Sequence, residues 1–422
     1  MTEQNAMSSA SVGAADLWRR AIILFCNFFF IILAYYQIKA ASRSLLLEFG
    51  GTASFPYVWI YSAVVLLGVI VIYHRLVERF SRIKVVLGSL ALSMLLLVGF
   101  RLMLVDGSKA VAIAFYVFVD IFSVVLVEQF WSLTNSISRT EEGRRTYWLV
   151  SSGGLVGGLT GGLLAAALVS GTAMTTEDLL LSCAGLLLVT GVLSVVMWRA
   201  GLFEEVPDGA AVEADRGNWR ALVSSRYLLL IAAVLCLTQL ANPIIEYQFL
   251  SAIDAAYENK DERTVFISQF FTVLGVVSLG VNFTLTPLIH RYLGIVAGLM
   301  VQPLLIAAST LVFMSHSTLL TAAAMKLSDR GLSYSINRAS KELLYIPVDP
   351  LHTYQAKAWI DMLGYRLFKV MGSGLILLTT VWLPVGSGPS LGALTLGVCA
   401  LWLATIVALG TEYRRVSAPQ PA

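Results

Sequence analysis

The feature that most limits what this chain can become is the recurrence of long apolar runs. They begin at Ala21 and return at short intervals almost to the last residues. About 20 apolar residues in a helix cross the hydrocarbon layer of a bilayer. Within that layer every backbone N–H and C=O must be satisfied inside the segment, which makes the helix the natural spanning element. The runs predict spans at 21–38, 55–74, 85–105, 111–135, 147–170, 179–198, 226–249, 265–289, 293–314, 318–346, 355–383 and 389–411. The expected fold class is an all-α polytopic membrane protein of about twelve helices. Charge content agrees, because only 13% of the residues are Asp, Glu, Lys or Arg, against about 25% in soluble domains.

One polar segment interrupts the pattern. Residues 201–225 carry Glu204, Glu205, Asp208, Glu213 and Asp215, and divide the spans into six and six. The expected organisation is a tail at 1–20, an N-terminal half at 21–200, a linker at 201–225, a C-terminal half at 226–411 and a tail at 412–422. Basic loop residues mark the cytoplasmic face. One face receives Arg19, Arg20, Arg75, Arg79, Arg82, Lys84, Arg144, Arg145, Arg199, Arg216, Arg220, Arg291, Arg414 and Arg415, among others; the opposite loops hold only Lys109, Lys260 and Arg263. Both termini, and the linker, are therefore expected in the cytoplasm. Arg19 and Arg20 precede an apolar run too long for a signal-peptide core, so the first helix is expected to remain.

The halves echo one another. Tyr36-Gln37 returns as Tyr247-Gln248, and Trp148, Gly153 and Gly161 return at the same offset as Trp359, Gly364 and Gly372. His74-Arg75 and His290-Arg291 each close the second helix of a half. A parallel repeat of this kind places a substrate between the halves.

Charge inside the spans is costly and normally faces a protein interior or a water-filled cavity. The stretch from Lys326 to Gly374 is dense in it. At 100° per residue Lys326, Arg330, Ser333, Asn337 and Lys341 share one sector of a helix, and Arg366 and Lys369 come on the next. Lys39 and Arg43 lie four residues apart in the first helix; they either face the same cavity or snorkel to the interface. Asp120 and Glu128 in the fourth helix, Glu246 in the seventh and Asp361 in the eleventh are the carboxylates that balance this charge or gate the path. The set reads as a polar pathway for an anion. Glycines 153, 157 and 161 form a four-residue ladder suited to close helix packing; with no preceding strand and no following Lys-Ser/Thr, it is not a phosphate-binding loop.

Four cysteines sit singly in apolar runs, and no metal-ligand spacing, nucleophile elbow or triad is present. No enzymatic activity, cofactor, metal or nucleic-acid partner is expected.

Two motifs carry a resemblance. Ser335-Ile-Asn337 with Lys341-Glu-Leu-Leu-Tyr-Ile-Pro347, and Ala356-Lys357-Ala358 with Ile360-Asp361 and Arg366-Leu-Phe-Lys369, resemble the non-mitochondrial ATP/ADP translocases of plastids and bacteria. The short charged loop His74–Lys84 also resembles its counterpart in the major facilitator superfamily. The resemblance implies a facilitator-like fold that exchanges nucleotides, with Lys39, Glu128, Glu246 and Lys369 as the functional lysines and glutamates. It departs at Phe368 and Val370-Met371, where the family has glycine before the lysine and Ser-Gly after it, and at Ser44, where an acidic residue is expected. The reading is an inner-membrane antiporter for ATP, ADP or a related phosphorylated anion, working as a monomer in the lipid bilayer by alternating access. The alternatives are a proton-coupled carrier of another solute and a non-transporting membrane partner or sensor.

Overall fold

The computed structural model describes residues 14–138, 140–202, 225–348, 360, 364–382 and 389–416. All regular structure among them is helical. The N-terminal half holds α1 (Ala14–Gly50), α2 (Phe55–Arg79), α3 (Arg82–Met103), α4 (Lys109–Ser136), α5 (Thr140–Gly171) and α6 (Leu179–Arg199). The C-terminal half holds α7 (Arg226–Ala256), α8 (Lys260–Phe283), the short α9 (Leu285–Tyr292) and α10 (Gly294–Ser315). It continues with α11 (Leu319–Leu332), α12 (Arg338–Leu344), α13 (Tyr365–Leu377) and α14 (Pro389–Val416).

Ten helical stretches among the described residues are long and apolar enough to cross a membrane. The two other expected spans are present but interrupted. A π turn at Ser333–Asn337 separates α11 from α12, and another at Leu378–Trp382 comes after α13, so neither contains one long α-helix. Most of the expected span 355–383 before residue 364 lies outside the described residues, and Asp361 with it. Several helices outrun their expected ends. The apolar run of α1 stops at Lys39, yet the helix continues to Gly50 because its charged residues face protein instead of lipid.

Helix starts obey local chemistry. Ser108, Ser225 and Asn259 accept the backbone N–H of Val111, Leu228 and Asp261 in the first turns of α4, α7 and α8, meeting donors that a helix start leaves orphaned. Thr318 and Thr321 form a reciprocal capping box at α11.

Glycine sets the closest packing, and both halves use it alike. A Cβ at Gly157 of α5 would stand 2.5 Å from the Phe29 carbonyl oxygen of α1, and one at Gly161 2.8 Å from that of Leu33. Gly153 meets the Phe25 carbonyl in the same row. In the C-terminal half a Cβ at Gly372 of α13 would stand 2.6 Å from the Leu240 carbonyl of α7, beside Pro243. Only hydrogen fits at these positions, so the ladder read from the sequence is a packing device.

Two buried clusters form the interior. One fills the N-terminal half around Leu90, Phe115 and Phe122. The other fills the C-terminal half around Phe249, Ile306 and Trp402, and also takes in Leu46, Phe55 and Trp59 of the N-terminal half. The halves are thus fused through the end of α1 and the start of α2. The same end carries a polar clasp. Lys260 of α8 pairs with Glu177 at 2.5 Å, and Arg263 pairs with Glu48 at 3.1 Å and with Asp254 at 3.1 Å. Asp261 accepts the backbone N–H of Thr176 at 2.8 Å and its hydroxyl at 2.6 Å. Gly51, at φ 69°, turns the chain so that the Thr52 hydroxyl reaches Asp254 at 3.0 Å.

Candidate functional site

A cavity of about 120 Å³ lies between the halves, bounded by α1, α2 and α4 on one side and α7, α8, α11 and α13 on the other. Its walls are charged, and the charges are shared between halves in a definite order.

Arg43 reaches from α1 across to α7, where its Nε donates to Glu246 Oε1 at 3.0 Å. The other oxygen, Oε2, accepts Lys326 Nζ of α11 at 2.7 Å. Lys326 also donates to Asp329 Oδ2 at 3.1 Å, within its own helix. Asn242 of α7 donates to that same oxygen at 2.7 Å and accepts Arg330 Nη2 at 2.5 Å. A second pair crosses in the opposite sense: Lys369 of α13 stands 3.7 Å from Asp120 of α4. Each half thus offers one cation to a carboxylate of the other.

Lys39 differs. Its ammonium lies over the rings of Phe271, Tyr36 and Tyr35, with centroids at 4.0, 4.7 and 5.4 Å, and no carboxylate pairs with it among the described residues. Ring faces attract a cation but leave its charge uncancelled. Five cations line the cavity (Lys39, Arg43, Lys326, Arg330 and Lys369), against Asp120, Glu246 and, just behind, Asp329. The surplus is positive.

The structure therefore gathers Lys39, Arg43, Lys326, Arg330, Lys369, Asp120 and Glu246 at one site. It separates the others. Asn337 is buried in the π turn with its Oδ1 unpartnered among the described residues, and Lys341 donates to the Tyr365 hydroxyl at 2.9 Å. Neither lines the cavity. The helical stripe expected from Lys326 to Lys341 is broken because the π turn adds a residue to the repeat and rotates the rest of the helix. Arg366 is half-buried on α13 and Glu128 is exposed on α4, both away from the lining; Asp120 is the α4 carboxylate at the cavity. Of the tyrosines near these charges, Tyr35 and Tyr334 line the cavity and Tyr247 does not; Tyr36 packs on Phe271 beside Lys39. Ser44, the departure in the first helix, is fully buried and donates to the Lys260 carbonyl in the clasp, so it faces no substrate.

Asn242, Tyr116 and Trp59 also line the cavity and have no charge to mark them in the sequence; Trp59 donates to the Tyr116 hydroxyl at 2.9 Å beneath Arg43. Lys260 and Arg263, expected in a loop, belong to α8, and Arg263 is 7% exposed.

The profile of the TLC ATP/ADP transporter family matches residues 215–328 and 319–413. ADP,ATP carrier protein 1 of Chlamydia trachomatis is 24% identical over 365 residues, which cover 76% of this chain and 68% of that protein. ADP,ATP carrier protein 2 of Chlamydia pneumoniae is 26% identical, covering 71% and 65%. The chloroplastic ADP,ATP carrier protein 2 of Arabidopsis thaliana is 23% identical, covering 71% and 54%. The chain thus spans between about half and two thirds of the length of these relatives. Among solved structures, a bacterial homologue of the iron transporter ferroportin in its inward-facing state superposes with a TM-score of 0.66 at 15% identity, covering 93% of this chain and 99% of that one. A peptide transporter of the POT family gives 0.62 at 12%, covering 96% and 99%. These two likenesses concern the fold alone, which is that of major-facilitator-like transporters.

Proposed function

We propose that this chain, which belongs to the TLC ATP/ADP transporter family of non-mitochondrial nucleotide translocases, is a multi-pass membrane transporter that exchanges ATP, ADP or a related phosphorylated anion by alternating access. The observation that carries this reading is the positive surplus of a cavity whose cations come from both halves. A phosphate chain entering it replaces its hydration with fixed ammonium and guanidinium groups. Lys39 and Lys369 receive phosphate oxygens from opposite sides. Arg43 and Arg330 bind phosphate through forked N–H donors, and Tyr35 and Tyr334 offer ring faces to a base.

The charge pairs explain why such a carrier needs a substrate. Arg43–Glu246 and Lys369–Asp120 tie the halves together across the empty cavity. An anion competes with both carboxylates for the same cations, releases the ties and supplies the energy of reorientation from its own binding. We take the clasp, from the distribution of basic loop residues, to lie on the extracytoplasmic side, which makes this conformation closed to the outside. We assign residues 21–200 and 226–411 to the two moving halves, with the linker 201–225 and both tails in the cytoplasm, in a monomer of the inner membrane.

Labelled ATP uptake into proteoliposomes tests the reading. Uptake only into vesicles preloaded with ATP or ADP, lost in Lys369→Ala at equal protein level, is the expected result. Uptake driven by a pH gradient and indifferent to internal nucleotide overturns it.

A further inference from the structure

The buried ion network continues beyond the cavity wall. Lys326 is 1% exposed, yet it stands between two carboxylates, 2.7 Å from Glu246 and 3.1 Å from Asp329. At that depth, one ammonium is shared between both. Whatever strengthens one bond weakens the other.

Asp329 has its own anchors. Asn242 donates to its Oδ2. Gln302 of α10 donates to its backbone oxygen at 2.9 Å and stands 3.5 Å from its Oδ1. Gln302 is fully buried and lies outside the cavity lining. A chain of polar contacts therefore runs from Gln302 through Asp329, Lys326 and Glu246 to Arg43. Every member but the last belongs to the C-terminal half, and only the Arg43–Glu246 bond crosses between halves.

We propose that Asp329 is a positioning residue for transport: it sets how much of Lys326 is left to Glu246, and so how firmly Glu246 holds Arg43 across the cavity. This rests on the reading of the cavity as a nucleotide site. Asp329 touches no substrate. It acts at the far end of a lever whose near end is the guanidinium the substrate needs.

Two variants pull the lever in opposite directions. Asp329→Asn removes the competing charge, so Lys326 turns wholly to Glu246 and Glu246 loosens its hold on Arg43. The freed guanidinium binds the anion more tightly. KM for exchanged ATP falls roughly threefold to tenfold, and kcat falls with it because the bound anion leaves more slowly. Gln302→Leu removes a donor from Asp329, which then draws Lys326 more strongly and leaves Glu246 to Arg43. KM rises about twofold to threefold. A general loosening of the fold does not move KM in opposite directions. A second readout needs no nucleotide: phenylglyoxal modifies accessible guanidinium groups, and peptide mass mapping tracks Arg43 alone. Arg43 is labelled faster in Asp329→Asn and slower in Gln302→Leu than in the unaltered protein.

KM and labelling that stay fixed, or that shift the same way in both variants, overturn the proposal. If Asp329→Asn does not accumulate in the membrane, Gln302→Leu decides alone. An unaltered protein that exchanges no nucleotide refutes the transport reading, while Arg43 labelling still decides the role of Asp329.

Discussion

The clasp and the cavity are built from the same kinds of side chain and hold opposite surpluses. In the clasp, Lys260 and Arg263 pair with three carboxylates, Glu48, Glu177 and Asp254, and a fourth, Asp261, belongs to the same cluster. Both cations are taken, and Asp261 accepts from a backbone amide and a hydroxyl. In the cavity five cations meet three carboxylates, and among the described residues Lys39 is held by rings alone. One region is finished and acidic; the other is incomplete and basic. A satisfied set of ion pairs closes a door, whereas an unsatisfied one defines a ligand. On the proposed reading, an anion is repelled by the closed end and drawn to the middle.

The largest effect that tests this contrast is expected from Lys39→Ala. It removes the cavity cation with no carboxylate to release, so it abolishes exchange by about a hundredfold or more in kcat/KM and leaves the thermal midpoint near its original value. Normal exchange in that variant breaks the contrast. Next comes Arg263→Ala, which leaves Glu48 and Asp254 facing each other without their cation. Losing one partner of a partly buried pair costs about 2 kcal/mol or more. The thiol of a Leu274→Cys variant, at a buried position on the cavity wall, then reacts with an impermeant reagent from outside, and it does not when Arg263 is intact.

How much of this was legible beforehand divides along the same line. The spans were readable because lipid imposes one period and one length, and the cavity charges because charge in an apolar run is conspicuous. Lys39, Arg43, Glu246 and Lys369 announced themselves this way. The clasp did not, since Lys260, Arg263 and Glu177 come from stretches that read as short loops, where charge is ordinary. Asn242 and Trp59 carry no charge to read. Glu128 drew attention ahead of Asp120 through family resemblance, and helical period gave no means of choosing between them. The broken stripe was hidden because a π turn leaves no clear mark in residue type.

A smaller effect sharpens the contrast at the seam. Gly162 of α5 faces α8, where a Cβ would stand 2.5 Å from Thr272 Oγ1 and 2.7 Å from the Ser268 carbonyl. Gly162→Ala is expected to weaken the closed conformation by about 1–3 kcal/mol through overpacking, read as outside labelling of the thiol at position 274 with cavity affinity retained. The smallest is Thr176→Val. It removes the hydroxyl bonds to Asp261 and Thr264 but keeps the backbone bond, for a loss of about 1 kcal/mol measured as a modest drop in thermal midpoint. A loss of nucleotide affinity in either variant would merge two regions that the structure keeps separate.

The π turn at Ser333–Asn337 has one more consequence, for how such a chain varies. A π turn is an α-helix holding one spare residue. Deleting the codon of Ser333, Ser335 or Ile336 removes that spare residue and returns the helix to its ordinary pitch, while Lys341 and the residues after it keep the directions the π turn now gives them. The same stretch thus stores a tolerance for length, and a frame-preserving deletion uses it without altering any side chain that binds.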